Sequence, residues 1–168
     1  MSIREMRGSK MYLLNSRDSC SSKKTYASIR VIRGKNPMKI TQETLAHLTA
    51  QAKASERLRM SLDLRTASDD QSQRMLNAVE PGTPLPIHRH RTSAETVVIV
   101  RGRLIERFYD DDGTLTEEIL MEVGGDCPVL QIPVGQWHGI EVLESGTVIF
   151  EAKDGAYAPL TDEDLMKK

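Results

Sequence analysis

Hydrophobic residues first recur in this chain at the spacing of an amphipathic helix. Thr41 is a residue type that caps helix N-termini. After it, Leu45, Leu48 and Ala52 fall on one helical face. The pattern therefore predicts one helix near the start of the folded domain.

From residue 58 the apolar period becomes two, because Leu58, Met60, Leu62 and Leu64 alternate with polar residues. More strand-like runs follow at 74–79, 96–101, 103–109, 115–123, 129–132, 139–143 and 147–151. Turn residues separate them, and Asp112-Gly113 is the clearest hairpin signal. One helix followed by many short strands predicts a mainly β sandwich or barrel rather than a parallel α/β sheet.

Length and composition indicate one globular domain. A chain of 168 residues with 39% hydrophobic and 28% charged residues is ordinary for a soluble protein. No stretch has the roughly 18 consecutive apolar residues of a membrane span, and no secretory signal is recognised, so we expect a cytoplasmic protein. Cys20 and Cys127 form no CxxC pair, which argues against a disulfide framework or a zinc knuckle.

The charge is unevenly distributed. Residues 1–37 carry 9 Lys and Arg against 2 Asp and Glu. We interpret them as a basic N-terminal extension in front of a domain at 38–168. Such an extension can in principle engage nucleic acid, but its charges are scattered and no recognition motif accompanies them. We therefore expect a solvated extension without a nucleic-acid partner.

Four residues have the types and spacing of metal ligands. His88 and His90 are two apart, so in a strand both imidazoles project from one face. Glu95 follows after a short polar stretch, and His138 is available after a predicted turn. Imidazoles and a carboxylate suit a divalent ion such as Fe, Mn, Ni or Zn, and the ligands alone do not select among them. His47 is a lone histidine on the predicted helix, where a surface or hydrogen-bonded role is more common than metal binding, so it is not expected to bind.

These residues lie in two stretches that resemble known motifs. Gly82, His88-x-His90, Glu95 and Gly102 resemble the first cupin motif in spacing, and the run Pro133-x-Gly135-x-x-His138 resembles the core of the second. The resemblance implies a single-domain cupin, a jelly-roll β-barrel, with the four candidate ligands lining its mouth. Cupin barrels also commonly pair, which implies a homodimer.

The second motif departs from the family pattern at two positions. Its opening Gly is replaced by Gly124 and Gly125 further back in the chain, and Val142 stands where an Asn is common. Neither position is a metal ligand. At finer grain, residues from Met38 onward resemble the WbuC-type cupin-fold metalloproteins, which are associated with surface-polysaccharide gene clusters. The similarity lies in the helix-first layout, the run 73–77 and the hairpin at 109–113.

Two functions are compatible with this pattern. The first is a metal-dependent isomerase or dioxygenase acting on a small oxygen-rich molecule, such as a sugar or sugar nucleotide. If residues 133–136 form a four-residue turn, Gln131 pairs across from His138, faces inward and orients the substrate, or simply lines the barrel. The second is a non-catalytic carbohydrate- or metabolite-binding module. No independent general base is recognised in the sequence, which slightly favours the second.

Overall fold

A computed structural model describes residues 28–30 and 37–167 of the protein. Within these residues one helix, α1, spans Gln42–Ala54. The same residues form nine strands, which in chain order are β1 Ser28–Arg30, β2 Arg59–Asp63, β3 Ser72–Val79, β4 Glu95–Arg101, β5 Arg103–Tyr109, β6 Leu115–Glu122, β7 Val129–Ile132, β8 Trp137–Val142 and β9 Thr147–Asp154. A short 3-10 turn covers Asp162–Asp164.

The helix begins where the sequence predicts. Thr41 accepts a hydrogen bond from the backbone N–H of Thr44, and the Thr44 side chain accepts one from the backbone N–H of Thr41. This reciprocal cap satisfies two amide donors that the first helical turn would otherwise leave unpaired. The predicted apolar face is confirmed, since Leu45, Leu48 and Ala52 are buried.

The strands form two sheets. The larger has the order β1-β2-β3-β9-β4-β7, with β1 parallel to β2 and the other pairs antiparallel. The smaller has the order β6-β5-β8 and is antiparallel. Among the described strands no ladder joins the two sheets, so the barrel is open along its sides.

Two apolar clusters hold these layers together. Helix α1 packs on one face of the large sheet, where Leu48 meets Leu76 and Val148. The other face meets the small sheet, and Val97 and Ile149 there join Leu104 in a second cluster. The large sheet is thus covered on both faces, and inward side chains of both sheets line the space between them. The predicted mainly β fold with an N-terminal helix is confirmed.

Some boundaries differ from the prediction. Strand β9 runs to Asp154, three residues beyond the predicted end, and β8 begins at Trp137 rather than at residue 139. The short strand β1, which pairs with Ser61–Asp63 of β2, was not predicted. It falls within the basic extension 1–37, of which residues 1–27 and 31–36 lie outside the described part. The domain boundary at residue 37 stays a prediction.

Candidate metal centre

The His88-x-His90 segment is an extended stretch held on both sides. On one side His88 and His138 exchange backbone hydrogen bonds, with N···O distances of 2.9 and 2.8 Å. On the other side residues 164–166 bond to the backbone of Ile87 and Arg89, each at 3.0 Å. Both histidines of the motif therefore extend from a backbone fixed between β8 and the C-terminal segment.

Two of the imidazoles are oriented by neighbouring carbonyl groups. Nδ1 of His88 lies 3.2 Å from the carbonyl oxygen of Pro86, and Nδ1 of His138 lies 3.0 Å from that of Gln136. In both rings Nδ1–H is the donor that such a contact requires. In the neutral form of each ring Nε2 is then free of a proton and carries the lone pair that a metal ion needs, as is usual for ligating histidines whose Nδ1–H bonds to a carbonyl group.

The four predicted ligands come together in space. Oε2 of Glu95 lies 3.0 Å from Nε2 of His90 and 3.4 Å from Nε2 of His138. With His88 included, one ligand atom from each residue lies within 4.8 Å of every other. Ligand atoms at about 2.0–2.2 Å from one ion are separated by roughly 3–4.4 Å, so the cluster fits a single divalent ion with small adjustments.

Electrostatics favour the charge states that metal binding requires. Burial lowers the pKa of His88 to about 3, and the nearby His138 adds to this effect, so the ring is neutral at neutral pH. Burial alone would raise the pKa of Glu95, but hydrogen bonds from His138 and His90 and the charge of Lys153 hold it well below its usual range. The site thus presents a carboxylate beside at least one neutral imidazole.

A lysine and a second glutamate lie directly behind Glu95. Nζ of Lys153 is 2.9 Å from Oε1 of Glu95, 3.4 Å from Nε2 of His90 and 3.6 Å from Oε2 of Glu151. Removal from bulk water and the charge of Glu95 raise the pKa of Glu151 to about 7. Sequence reasoning missed both residues, although Ile149, Glu151 and Lys153 share the inward parity of β9.

A third glutamate lies inside the barrel. Glu106 is 1% exposed, and its Oε1 is a buried oxygen without a hydrogen-bond partner among the described residues. Burial raises the pKa of Glu106 well above its usual value, and the charges of Glu95 and Glu151 add to this. It was also missed, although the buried Leu104 and Phe108 flank it at the same parity of β5.

The predicted inward orientation of Gln131 is wrong. In β7, Gln131 pairs with Thr96 of β4, and the Thr96 hydroxyl donates to its side-chain oxygen at 2.7 Å. Because Glu95 and Ile132 occupy the inward register position, Thr96 and Gln131 face outward, and Gln131 is exposed. The prediction assumed that β7 and β8 form a hairpin, whereas they belong to different sheets.

Trp137 faces away from the ligands, as its parity predicts. The Arg89 guanidinium lies 4.3 Å from the centre of the indole ring, and the indole N–H donates to Asp111 at 3.0 Å. The ring thus links the segment between the two histidines to the tip of the β5–β6 hairpin. This is a cation–π contact on the outer side of the site.

Comparison with known proteins gives one family match. Residues 40–121 match the model of a domain of unknown function, DUF6016. The match includes His88, His90 and Glu95, whereas His138 lies beyond it. No curated protein matches the chain.

Three of the solved structures that match the chain do so over about 60% of its length. KdgF from Halomonas sp. is 15% identical over 58% of this chain and 80% of its own, with a TM-score of 0.46. A structure of CapF with the inhibitor 3-isopropenyl-tropolone is 29% identical over 59% of this chain and 28% of its own, at 0.47. The Schizosaccharomyces pombe Cnp3 cupin domain is 11% identical over 60% of this chain and 66% of its own, with a TM-score of 0.48.

The described residues contain no helix that is long and apolar enough to cross a membrane.

Proposed function

We propose that this chain is a cupin metalloprotein that binds one divalent ion through His88, His90, Glu95 and His138. The observation that carries the proposal is that one ligand atom of each residue lies within 4.8 Å of the others. Two carbonyl groups behind His88 and His138 direct their Nε2 atoms as ligands. Fe, Mn, Ni and Zn are the candidate ions, since this mixed ligand set accepts all of them.

Elemental analysis tests this proposal directly. Protein purified without a histidine tag is expected to contain about one divalent ion per chain, or to take up one on titration. His138→Ala and Glu95→Gln are expected to reduce that content, and His47→Ala is the matched control because His47 is exposed on α1. Metal content near zero in protein titrated with each of the four ions would refute the proposal.

We further propose that the chain is an enzyme acting on a small oxygen-rich molecule. Four protein ligands leave one or two coordination positions, and a bound ion would supply Lewis-acid or redox chemistry there. The chain itself adds groups that hold protons beside the site, because Glu151 and Lys153 lie next to Glu95. Isomerisation or dioxygenation of a sugar or sugar nucleotide fits these groups. The link to surface polysaccharides rests on the WbuC-type resemblance.

Glu151, which points between the two sheets, bears on the choice between the two functions that the sequence left open. The absence of a recognised general base favoured a binding module, but Glu151 lies beside Lys153 behind Glu95, and in the metal-free fold burial and the charge of Glu95 raise its pKa to about 7, which suits a group that accepts and returns a proton. This observation favours an enzyme over a non-catalytic carbohydrate- or metabolite-binding module.

A substrate screen with the Fe, Mn, Ni and Zn forms distinguishes the two functions. For an enzyme, Glu151→Gln is expected to lower kcat by about 10²–10⁴-fold while the metal content stays unchanged. Saturable binding of a sugar without turnover in any of the four metal forms would instead establish the binding module.

The homodimer also belongs to the proposal. Large apolar side chains are exposed on β6 at the edge of the small sheet, on β7 at the edge of the large sheet and in the segments that follow these strands, namely Leu115, Leu120, Val123, Val129 and Val134. Exposed apolar side chains on edge strands are typical of association surfaces. Light scattering during size-exclusion chromatography is expected to give twice the chain mass of 18.8 kDa. A cytoplasmic location is likewise proposed and is tested by fractionation of the native cells.

A further inference from the structure

Lys153 and Glu95 face each other across two central strands. They are register partners of β9 and β4, and both side chains point between the sheets. Nζ of Lys153 donates to Oε1 of Glu95 at 2.9 Å, and the two side chains are 13% and 4% exposed. The contact is therefore a buried, charge-assisted hydrogen bond to a candidate metal ligand.

The two oxygens of Glu95 have different neighbours. Oε2 faces the imidazoles, at 3.0 Å from Nε2 of His90 and 3.4 Å from Nε2 of His138. Oε1 faces the ammonium group of Lys153. Only one of the two oxygens is thus directed at the position that the imidazoles define.

We propose that Lys153 is a positioning residue that holds Glu95 as a one-oxygen ligand and so keeps one coordination position open for an oxygen-bearing ligand. The inference rests on the proposed metal site. A carboxylate that binds through both oxygens occupies two positions of the ion. Here Oε1 accepts from the ammonium group of Lys153 at 2.9 Å, which competes with a second bond to the ion, and the other carboxylate contact of Lys153, Glu151, is longer at 3.6 Å.

The backbone keeps Lys153 in this position. Strand β9 is hydrogen-bonded between β3 and β4, and Lys153 pairs with Gln73 on one side and Glu95 on the other. A central strand bonded on both sides moves less than an edge strand or a loop. The backbone that carries the Lys153 side chain is therefore a fixed part of the barrel wall, and its ammonium group already bonds to Glu95 in the metal-free fold.

The number of exchangeable waters on bound Mn²⁺ measures this role. Wild type, Lys153→Met and the control Lys53→Met are loaded with Mn²⁺, and water-proton relaxivity is recorded. Lys53 is exposed in the last turn of α1, so its variant matches the loss of charge without touching the site. For a six-coordinate ion we expect about two waters in wild type and Lys53→Met and about one in Lys153→Met, a roughly twofold fall in relaxivity.

The same series separates a positioning role from a merely structural one. Loss of a buried ion pair for structural reasons lowers the melting temperature but leaves the water number unchanged. Lys153→Arg, which keeps a cationic donor, is expected to restore the wild-type water number. Wild-type protein that binds Mn²⁺ while Lys153→Met keeps the same number of waters would overturn the role of Lys153 alone. Wild-type protein that binds no ion would overturn the proposed function together with it.

A structure of Mn²⁺-loaded wild type decides the matter if Lys153→Met does not fold. We expect Oε2 of Glu95 at a bonding distance of about 2.0–2.2 Å and Oε1 still bonded to Lys153. Both oxygens of Glu95 at bonding distance from the ion would overturn the inference.

Discussion

The backbone N–H of His88 donates to the carbonyl oxygen of His138, and the N–H of His138 donates to the carbonyl oxygen of His88, although the two residues are far apart in sequence. Two candidate ligands are thus fixed relative to each other by main-chain hydrogen bonds rather than by side-chain packing. A metal ion would then require little further ordering of the backbone at this point. Its binding energy is expected to appear as added stability of the folded state.

Metal addition is therefore expected to stabilise the wild-type fold. An ion at about a thousand times its Kd adds roughly 4 kcal/mol. At about 2–4 °C per kcal/mol for a chain of this size, the melting temperature rises by about 8–16 °C. Melts of His88→Ala and His138→Ala are each expected to lose most of this rise, whereas the exposed His47→Ala keeps it. Equal rises in all three variants would exclude the assigned ligands.

The same stabilisation is expected to be lost in acid. Ligating imidazoles must be neutral, so binding lowers their pKa values below the free value of about 6.5. The pKa of His88 is already lowered by burial in the metal-free fold. The gain is therefore complete above about pH 6.5 and fades as the pH falls through the lowered values. Melts with and without chelator at neutral and acidic pH measure it, and a gain that grows on acidification would contradict it.

Glu95→Gln is expected to weaken metal binding while the metal-free barrel still folds. The amide keeps the size of the side chain but loses the negative charge that complements a dication. Isothermal titration with Mn²⁺ and Zn²⁺ measures the effect, which we expect to be at least about tenfold in Kd. The exposed Glu117→Gln is the matched control. Unchanged Kd and stoichiometry would remove Glu95 from the coordination sphere.

Much of the fold could be predicted because its signals are local. Thr41 caps the helix and Leu45, Leu48 and Ala52 form its buried face as predicted, since capping and the 3.6-residue period act within a few turns. The motif spacing likewise identified four ligand residues that the structure brings together. Their binding of metal stays a prediction.

The errors arise where long-range strand pairing decides the result. Gln131 was assigned inward because β7 and β8 are adjacent in sequence, but β7 pairs with β4 and β8 with β5. Glu106 and Lys153 were missed because charged residues are usually exposed. Both residues alternate in step with apolar neighbours on their strands, but only the packing of the two sheets shows that this face of each strand points inward. The C-terminal segment that bonds to the His88 strand has no periodic pattern at all.

Glu106→Gln is expected to stabilise the metal-free protein in a pH-dependent way. The pKa of Glu106 is raised in the fold above its usual value of 4.5, so deprotonation opposes folding. This loss of folding stability is absent below about pH 4.5 and grows as the pH rises toward the raised pKa. It disappears in the variant. We expect a gain on the order of 1–3 kcal/mol near neutral pH, because the variant has no carboxyl group whose ionisation in the unfolded chain opposes folding.

Urea unfolding with chelator present, from pH 4 to 8, checks the Glu106 prediction. The free energies of unfolding of wild type and Glu106→Gln are expected to be equal at pH 4 and to differ more and more as the pH rises. The free energy of unfolding of the control variant Glu117→Gln, whose side chain is exposed, should follow that of wild type over the whole pH range. A Glu106→Gln variant that is less stable than wild type at neutral pH would show that the carboxylate has a stabilising partner.

Asp164 is expected to secure the C-terminal segment that lines the His88 strand. Its carboxylate accepts hydrogen bonds from the backbone N–H and hydroxyl of Thr161, at 2.8 and 2.7 Å, and from Arg91 at 2.7 Å. Asp164→Ala is expected to cost about 1–2 kcal/mol at neutral pH, the usual range for a lost capping residue. The exposed neighbour Asp162→Ala is the control.

The contribution of Asp164 has a defined pH range. Hydrogen bonds from Thr161 and then Arg91 lower the pKa of Asp164 to about 2. The contribution is therefore complete above the usual value of 3.8 and is lost as the pH falls through about 2. Chemical denaturation of both variants at pH 7 and pH 3 measures it. A loss in Asp164→Ala no larger than in Asp162→Ala would show that the carboxylate does not hold the segment.

Removal of residues 1–37 is expected to leave the barrel folded and its metal content unchanged. The segment is basic, and its described strand, β1, adds only Ser28–Arg30 in parallel to β2. A three-residue strand at a sheet edge contributes few hydrogen bonds, so we expect a loss below about 2 kcal/mol. Thermal and urea melts of the full chain and of the fragments 28–168 and 38–168 separate the contribution of the basic residues to stability from that of the strand. A loss above that limit in 38–168 but not in 28–168 would place the domain boundary before β1 instead of at residue 37.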